Sequence, residues 1–234
     1  ETRVVAVAEH DTASAVAVIP EKTGRAFISS GSWSVMGIVC EEPVLSKQAA
    51  MFNLENEGQL HGKIRLLRNI TGLWMLEECL KEWKQEGRDI ALPSLIEEAS
   101  KIPSFQRFLY SNAERFSKNG KMPGKIKQFC KESGQPEPRY PAEFVRMIVD
   151  SLSMEYRKTI LDLEEVSGKH IQDIYIVGGG KNNTLLSQCT ADATGLHVIC
   201  GPQVAAALGN IVVQLYGLGE ITEWGRLSEI TDSI

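Results

Sequence analysis

The chain has 234 residues, 43% of them hydrophobic, and a mean hydropathy of −0.14, enough apolar material for a core in one large domain or two small ones. A formal charge of −5 and a pI near 5.5 argue against a nucleic-acid or anionic-membrane surface, which needs a net basic face; the basic run at 121–131 reads as a solvated helix face. No apolar run approaches the roughly 18 residues that span a bilayer, so a cytoplasmic location is the expectation. The cysteines Cys40, Cys79, Cys130, Cys189 and Cys200 are odd in number, scattered, and never spaced as Cys-x-x-Cys. They indicate neither a disulfide framework nor a zinc site, and read as small buried apolar residues.

Residues 3–8 read as a strand, and the first residue is Glu1 rather than Met, so the chain is expected to start inside a larger protein. Asp11 opens an Ala-rich helical stretch at 12–18 that meets no Gly or Pro before Pro20; backbone donors at such a start favour anions. Two β-rich runs, 26–30 and 32–39, meet at Gly31-Ser32, a pair suited to a tight hairpin whose amides and hydroxyl stay free to hold phosphate. A polar connection at 41–50 leads to a loop and short strand at 51–58. Residues 61–68 alternate as a third strand, and Thr71 offers an N-cap for a helix to about residue 85, with Leu73, Leu76, Leu80 and Trp83 facing inward.

The segment 93–139 is more polar and divided by Pro103, Pro123, Pro136 and Pro138 into short helical patches, the pattern of an insertion. A long helix follows at about 142–166, ended by Ser167-Gly168. Element types then alternate: a buried strand at 173–177, a turn at Gly178, Gly179 and Gly180, a helix at 182–194, a strand at 197–200, and a helix at 204–216. This order resembles a ribonuclease H-like or actin-like ATPase half, an α/β fold with a mixed sheet flanked by helices and a helical insertion around 93–139. Its ligand face lies at the strand ends, where Gly31-Ser32 and the three glycines would face a common cleft.

Each feature has a plain structural reading beside the functional one. Asp11 is an N-cap or surface carboxylate, or a reacting group. The glycine turn either packs closely or lets the backbone approach a base or phosphate, and Asn183 either caps the following helix or bonds adenine. His197, in an apolar strand, reads as a satisfied core histidine. Spacing among the four histidines argues against metal chelation, although His10 adjoins Asp11 and would orient that loop. Walker and Rossmann fingerprints are missing, since Gly120-Lys-Met-Pro-Gly-Lys fails both spacing and hydroxyl. The sequons at Asn69 and Asn182 read as accidental.

Five stretches together resemble a known family: His10-Asp-Thr-Ala-Ser-Ala-Val16, Ser29-Ser-Gly-Ser-Trp-Ser-Val-Met-Gly37, Asn56-Glu-Gly58, Leu67-Arg-Asn-Ile-Thr-Gly-Leu-Trp74 and Val177-Gly-Gly-Gly-Lys-Asn-Asn183. With Ala191-Asp-Ala-Thr-Gly195 and Gly201-Pro202 they look like the C-terminal domain of the FGGY carbohydrate kinases, in the rhamnulokinase branch. The resemblance covers nearly all of residues 1–234. It implies ATP-dependent phosphorylation of the primary hydroxyl of L-rhamnulose, with Asp11 as proton acceptor and His10 and Thr12 flanking it on the sugar side. It also implies Gly31 and Ser32 at the ATP phosphates, Asn69 and Glu77 at ligand-contacting positions, and Gly178, Gly179, Gly180 and Asn183 on the adenine side. Alternatives are another FGGY kinase, acting on fuculose, xylulose or a polyol, or a non-catalytic actin-like nucleotide-binding module.

The partners implied are ATP, a small ketose and the parent's N-terminal kinase domain, which has no counterpart in this sequence and would supply most ligands for Mg²⁺. This half alone is therefore expected to be inactive. Three positions depart from the family pattern: Ser32 stands for Thr, Glu77 for Gln, and Val204 for an acid after Gly201-Pro202.

Overall fold

The computed structural model describes residues 3–202, 204–222 and 224; Glu1 lies outside them. A six-stranded mixed sheet is the frame, with spatial order β3-β4-β2-β1-β5-β6. The central strand β1 (Arg25–Ser30) pairs antiparallel with β2 (Trp33–Cys40) and parallel with β5 (Asp173–Val177). On one side β4 (Ile64–Thr71) and the short edge strand β3 (Glu55–Gly58) continue antiparallel, and on the other β6 (His197–Cys200) continues parallel. Parallel pairs need helical crossovers, and these cover both faces of the sheet.

One face carries the larger core. Its spine is α7 (Pro141–Ser167), ended by Gly168 at φ 67°, a left-handed cap that glycine adopts without Cβ strain. Ile148, Leu152 and Tyr156 of α7 meet Ile28, Met36, Leu66 and Ile176 of the sheet. Arg68, buried on this face, pairs with Asp162 at 2.6 Å, so the charge taken into the core is neutralised there. Also on this face are α2 (Lys47–Met51), α3 (Trp74–Gln85) and α8 (Thr184–Thr194).

The segment expected as an insertion forms three short helices, α4 (Leu92–Ser100), α5 (Glu114–Ser117) and α6 (Met122–Glu132). Its buried residues, among them Leu95, Phe116, Met122 and Ile126, join the same core rather than a lobe of their own. On the opposite face lie α1 (Asp11–Ala17) and α9 (Ala205–Leu218). They pack backbone to backbone: a Cβ on Gly209 of α9 would stand 1.8 Å from the Ser14 carbonyl oxygen.

Several local expectations are corrected. Residues 3–8 form no strand; Val4 is 95% exposed, and Val5 lies against Gly217 of α9, where an added Cβ would fall 2.6 Å from it, so the segment runs over α9 and not along a sheet edge. The third strand starts at Ile64 rather than residue 61, because the Gln59 amide donates to the Lys63 carbonyl and closes a loop with His61 at φ 60°. Thr71 ends β4 instead of capping α3, whose N-cap is Leu73. His197 is exposed, since β6 is an edge strand with its alternate residues turned out. Four cysteines are buried as expected, and Cys200 is exposed.

Candidate active site

From the end of α1 the chain passes through residues 18–24 to the start of β1, so the N-terminus of α1 and the C-terminal end of β1 lie at the same end of the sheet. His10, in extended conformation, is the N-cap of α1. Its Nδ1 stands 3.3 Å from the Thr12 amide and 3.0 Å from Asp11 Oδ1. A bare Nδ1 accepts from the amide, whereas a protonated one donates to the carboxylate. Asp11 Oδ1 accepts from the Thr12 amide at 2.6 Å and from the Thr12 hydroxyl at 3.4 Å. Thr12 is itself buried, while the Asp11 side chain is 79% exposed. The helix start thus steers one carboxylate oxygen inward and leaves the residue open to solvent.

The hairpin between β1 and β2 turns at Gly31-Ser32, as its composition predicts. Its polar groups are not all free, which corrects the sequence expectation. The Gly31 amide donates to the Trp33 carbonyl at 2.9 Å, and the Gly31 and Ser32 carbonyls accept from the amides of Leu73 and Trp74 at the start of α3. The Ser32 hydroxyl lies 2.8 Å from both carboxylate oxygens of Glu77. The Glu77 charge is therefore aimed at the hairpin. Gly72 permits the approach of hairpin and α3, since a Cβ there would fall 2.6 Å from the Gly31 carbonyl oxygen. Trp33, which follows the turn, is 56% exposed.

The glycine turn after β5 stands directly against the end of β1. The three glycines divide by function: Cβ atoms on Gly178 and Gly180 would collide with Ser30, at 2.7 and 2.0 Å, whereas Gly179 opens onto empty space. Close packing thus accounts for two of them, and only Gly179 leaves room for a ligand. Gly178 also takes φ 85°. The helix expected from residue 182 starts at Thr184, after a 3-10 turn over Gly179–Asn182. Asn183 serves as its cap, with Oδ1 accepting from the Leu186 amide at 3.0 Å. Its Nδ2 is buried without a protein acceptor, so capping uses half of this amide and leaves the donor half over.

Asn69 lies on β4 opposite Val35 of β2. Leu67, two residues earlier, packs under Val16 of α1, and period-2 alternation puts Asn69 on that same face, where it is exposed. Arg65, on the same face, is buried, paired with Glu57 at 2.9 Å, and has Nη1 without a partner. The sequence reading passed over it, since a buried arginine in an alternating strand has no composition signal.

The tertiary structure therefore gathers Gly31, Ser32, Glu77, Gly178, Gly179, Gly180 and Asn183 around the C-terminal ends of β1 and β5. Asp11 and His10 stand at the same end of the sheet on the α1 face, with no bond from Asp11 to the hairpin among those described. Such a layout suits an extended ligand with one end at the hairpin and glycine turn and a reacting hydroxyl toward Asp11. Among the described residues, no group of three or more His, Cys, Asp or Glu side chains could hold a metal ion, and no helix is long and apolar enough to cross a membrane.

Comparison with solved structures agrees on the fold. Xylulose kinase from Rhodospirillum rubrum superposes with a TM-score of 0.69 at 15% identity, over 92% of this chain and 43% of that one. Plasmodium falciparum glycerol kinase with ADP gives 0.65 at 14% identity, over 94% and 44%. These are actin-like ATPase-fold sugar kinases. Among curated proteins, the rhamnulokinase of Bacteroides thetaiotaomicron is 39% identical over 97% of this chain and 46% of its own length. That of Pectobacterium carotovorum is 43% identical over 94% and 44%. The chain thus spans about half the length of the curated relatives it matches. Residues 26–218 match the FGGY family of carbohydrate kinases, C-terminal domain, and with more than half of its length inside that match the chain belongs to this family.

Proposed function

We propose that residues 1–234 are the C-terminal half of a kinase that transfers the γ-phosphoryl group of ATP to the primary hydroxyl of L-rhamnulose, giving L-rhamnulose 1-phosphate and ADP. The observation that carries this reading is the 39–43% identity to rhamnulokinases over nearly all of this chain. The geometry supports the residue roles. Asp11 takes the proton of the sugar hydroxyl, the freed oxygen attacks the γ-phosphorus, and the bond to the β-phosphate oxygen breaks as ADP leaves; the proton on Asp11 then passes to water. Thr12 holds one oxygen of Asp11, and His10 orients the carboxylate from the solvent side. Positioning and charge neutralisation do the rest, as phosphoryl transfer demands.

On the nucleotide side, the Gly31-Ser32 hairpin meets the phosphates, the open flank of Gly179 lies along the nucleoside, and Asn183 is assigned to the adenine side. Asn69 lies on the same face of the sheet as α1. Mg²⁺ bound with ATP would offset phosphate charge, and its ligands are assigned mainly to an N-terminal domain, the partner across which the substrates are held. The site of action is the cytoplasm.

The test uses the full-length kinase with ATP and L-rhamnulose, L-fuculose or D-xylulose. L-rhamnulose should give the highest kcat/KM, and a preference for either other ketose would assign the chain to another sugar kinase of the family. Asp11→Asn should lower kcat by about 10² or more. An unchanged kcat would point instead to a nucleotide-binding module without turnover, a use of this fold open to an enzyme-free reading because nucleotide binding requires no acceptor-side carboxylate.

A further inference from the structure

A cavity of about 360 Å³ opens at the other end of the sheet, within the size range of small-ligand sites. It lies at Arg25, the start of β1, while the hairpin follows Ser30 at its end; at about 3.3 Å per residue the two ends of the strand are about 17 Å apart. One wall is apolar, built from Val16, Ile19, Phe27 and Val39. The rest is polar, and its charges do not balance. Lys22 and Arg25 share Asp173, and Lys63 reaches Glu21 at 2.9 Å and Glu41 at 3.6 Å.

Lys169 is left over. Its ammonium donates to the Val39 carbonyl at 3.2 Å and lies 3.7 Å from Cys40 Sγ, with no carboxylate partner among the described residues. Gln59, also lining the cavity, has its Oε1 buried without a donor, an unmade hydrogen bond that a buried acceptor tolerates poorly. An excess cation, an acceptor in want of a donor, and an apolar wall are three complementary demands on one occupant.

We propose that this cavity is a second binding site, separate from the candidate active site, for a small hydroxylated anion whose charged group meets Lys169, whose hydroxyl donates to Gln59 Oε1, and whose carbon face lies on the apolar wall. A phosphate monoester and a carboxylate share this chemistry. Titration calorimetry of the full-length protein with fructose 1-phosphate and with gluconate separates the two, with fructose and inorganic phosphate as probes lacking the charge or the carbon body. One hydroxylated anion should bind saturably, at least tenfold tighter than either control. Lys169→Met, at an exposed position, should weaken it at least tenfold with kcat unchanged, and Gln59→Leu should weaken it with the protein still folded by circular dichroism.

Absence of binding by both anions overturns the proposal, as does equal binding of fructose or phosphate. Binding that survives Lys169→Met and is lost in Asp11→Asn places the ligand at the candidate active site and overturns it too. Because the readout is binding rather than turnover, its failure leaves the kinase reading to be decided by the sugar panel.

Discussion

Asp11 and Glu77 are two exposed carboxylates at the same end of the sheet, and their neighbours separate their roles. Asp11 receives an amide and a hydroxyl on one oxygen, which directs it without neutralising it. Glu77 engages the Ser32 hydroxyl with both oxygens, so its negative charge stands at the hairpin assigned to the ATP phosphates. Repulsion between exposed charges a few ångströms apart is modest in water and is screened by salt. Glu77→Gln in the full-length kinase should therefore lower KM for ATP about two- to fivefold with little change in kcat, and the difference should shrink at 0.5 M salt by the same screening. A rise in KM would mean that Glu77 contributes an attractive contact, and would remove the phosphates from its neighbourhood.

At the scale of elements, the parallel pair β1 and β5 is locked at its far end by charge. Asp173, 4% exposed in its side chain, accepts from Arg25 Nε at 2.7 Å and Nη2 at 3.2 Å and pairs with Lys22. The Arg25 hydrogen bonds, then that from Lys22, hold its carboxyl below the ordinary carboxylate range against the opposing effect of burial. A depressed folded-state value means stability that is complete above the unfolded value and lost as pH falls through the folded one. Urea unfolding should show stability constant near neutrality and falling below about pH 4. Asp173→Asn should be less stable at pH 7 by roughly 2 kcal/mol, leaving the partly buried Arg25 without its counter-charge, and should lose part of that acid slope. An acid limb identical in both proteins would assign it to other carboxylates.

For the whole molecule, the parts given to ATP and those given to the acceptor occupy one end of one sheet, yet among the described residues no bond closes the space between Asp11 and the hairpin. On the side of α9 turned away from α1, Ile211 is 53% exposed, and Val204 at the helix N-cap is 58% exposed, apolar area of the kind found at contact surfaces. Residues 1–234 expressed alone should transfer no phosphate from ATP to L-rhamnulose, and adding the N-terminal half of the kinase should restore turnover, measured as ADP release. Turnover by this chain alone would show that its own residues complete the site.

Local chemistry determined much of this protein. Helical periodicity and Gly168 delimit α7, β-rich and apolar runs between turns mark β1, β2 and β5, and Asp11, Gly31-Ser32 and the three glycines mark the candidate site. These are short-range properties, set by side-chain period and by the backbone freedom of particular residues. Only the tertiary structure decided that β6 is an edge and His197 exposed, that residues 3–8 lie outside the sheet, and that the helices at 92–132 share the main core. It alone separated Gly179 from Gly178 and Gly180, and it turned Glu77 onto Ser32 across 45 positions of sequence. Each of these depends on which distant segment arrives as a neighbour, and no local pattern of residues encodes that.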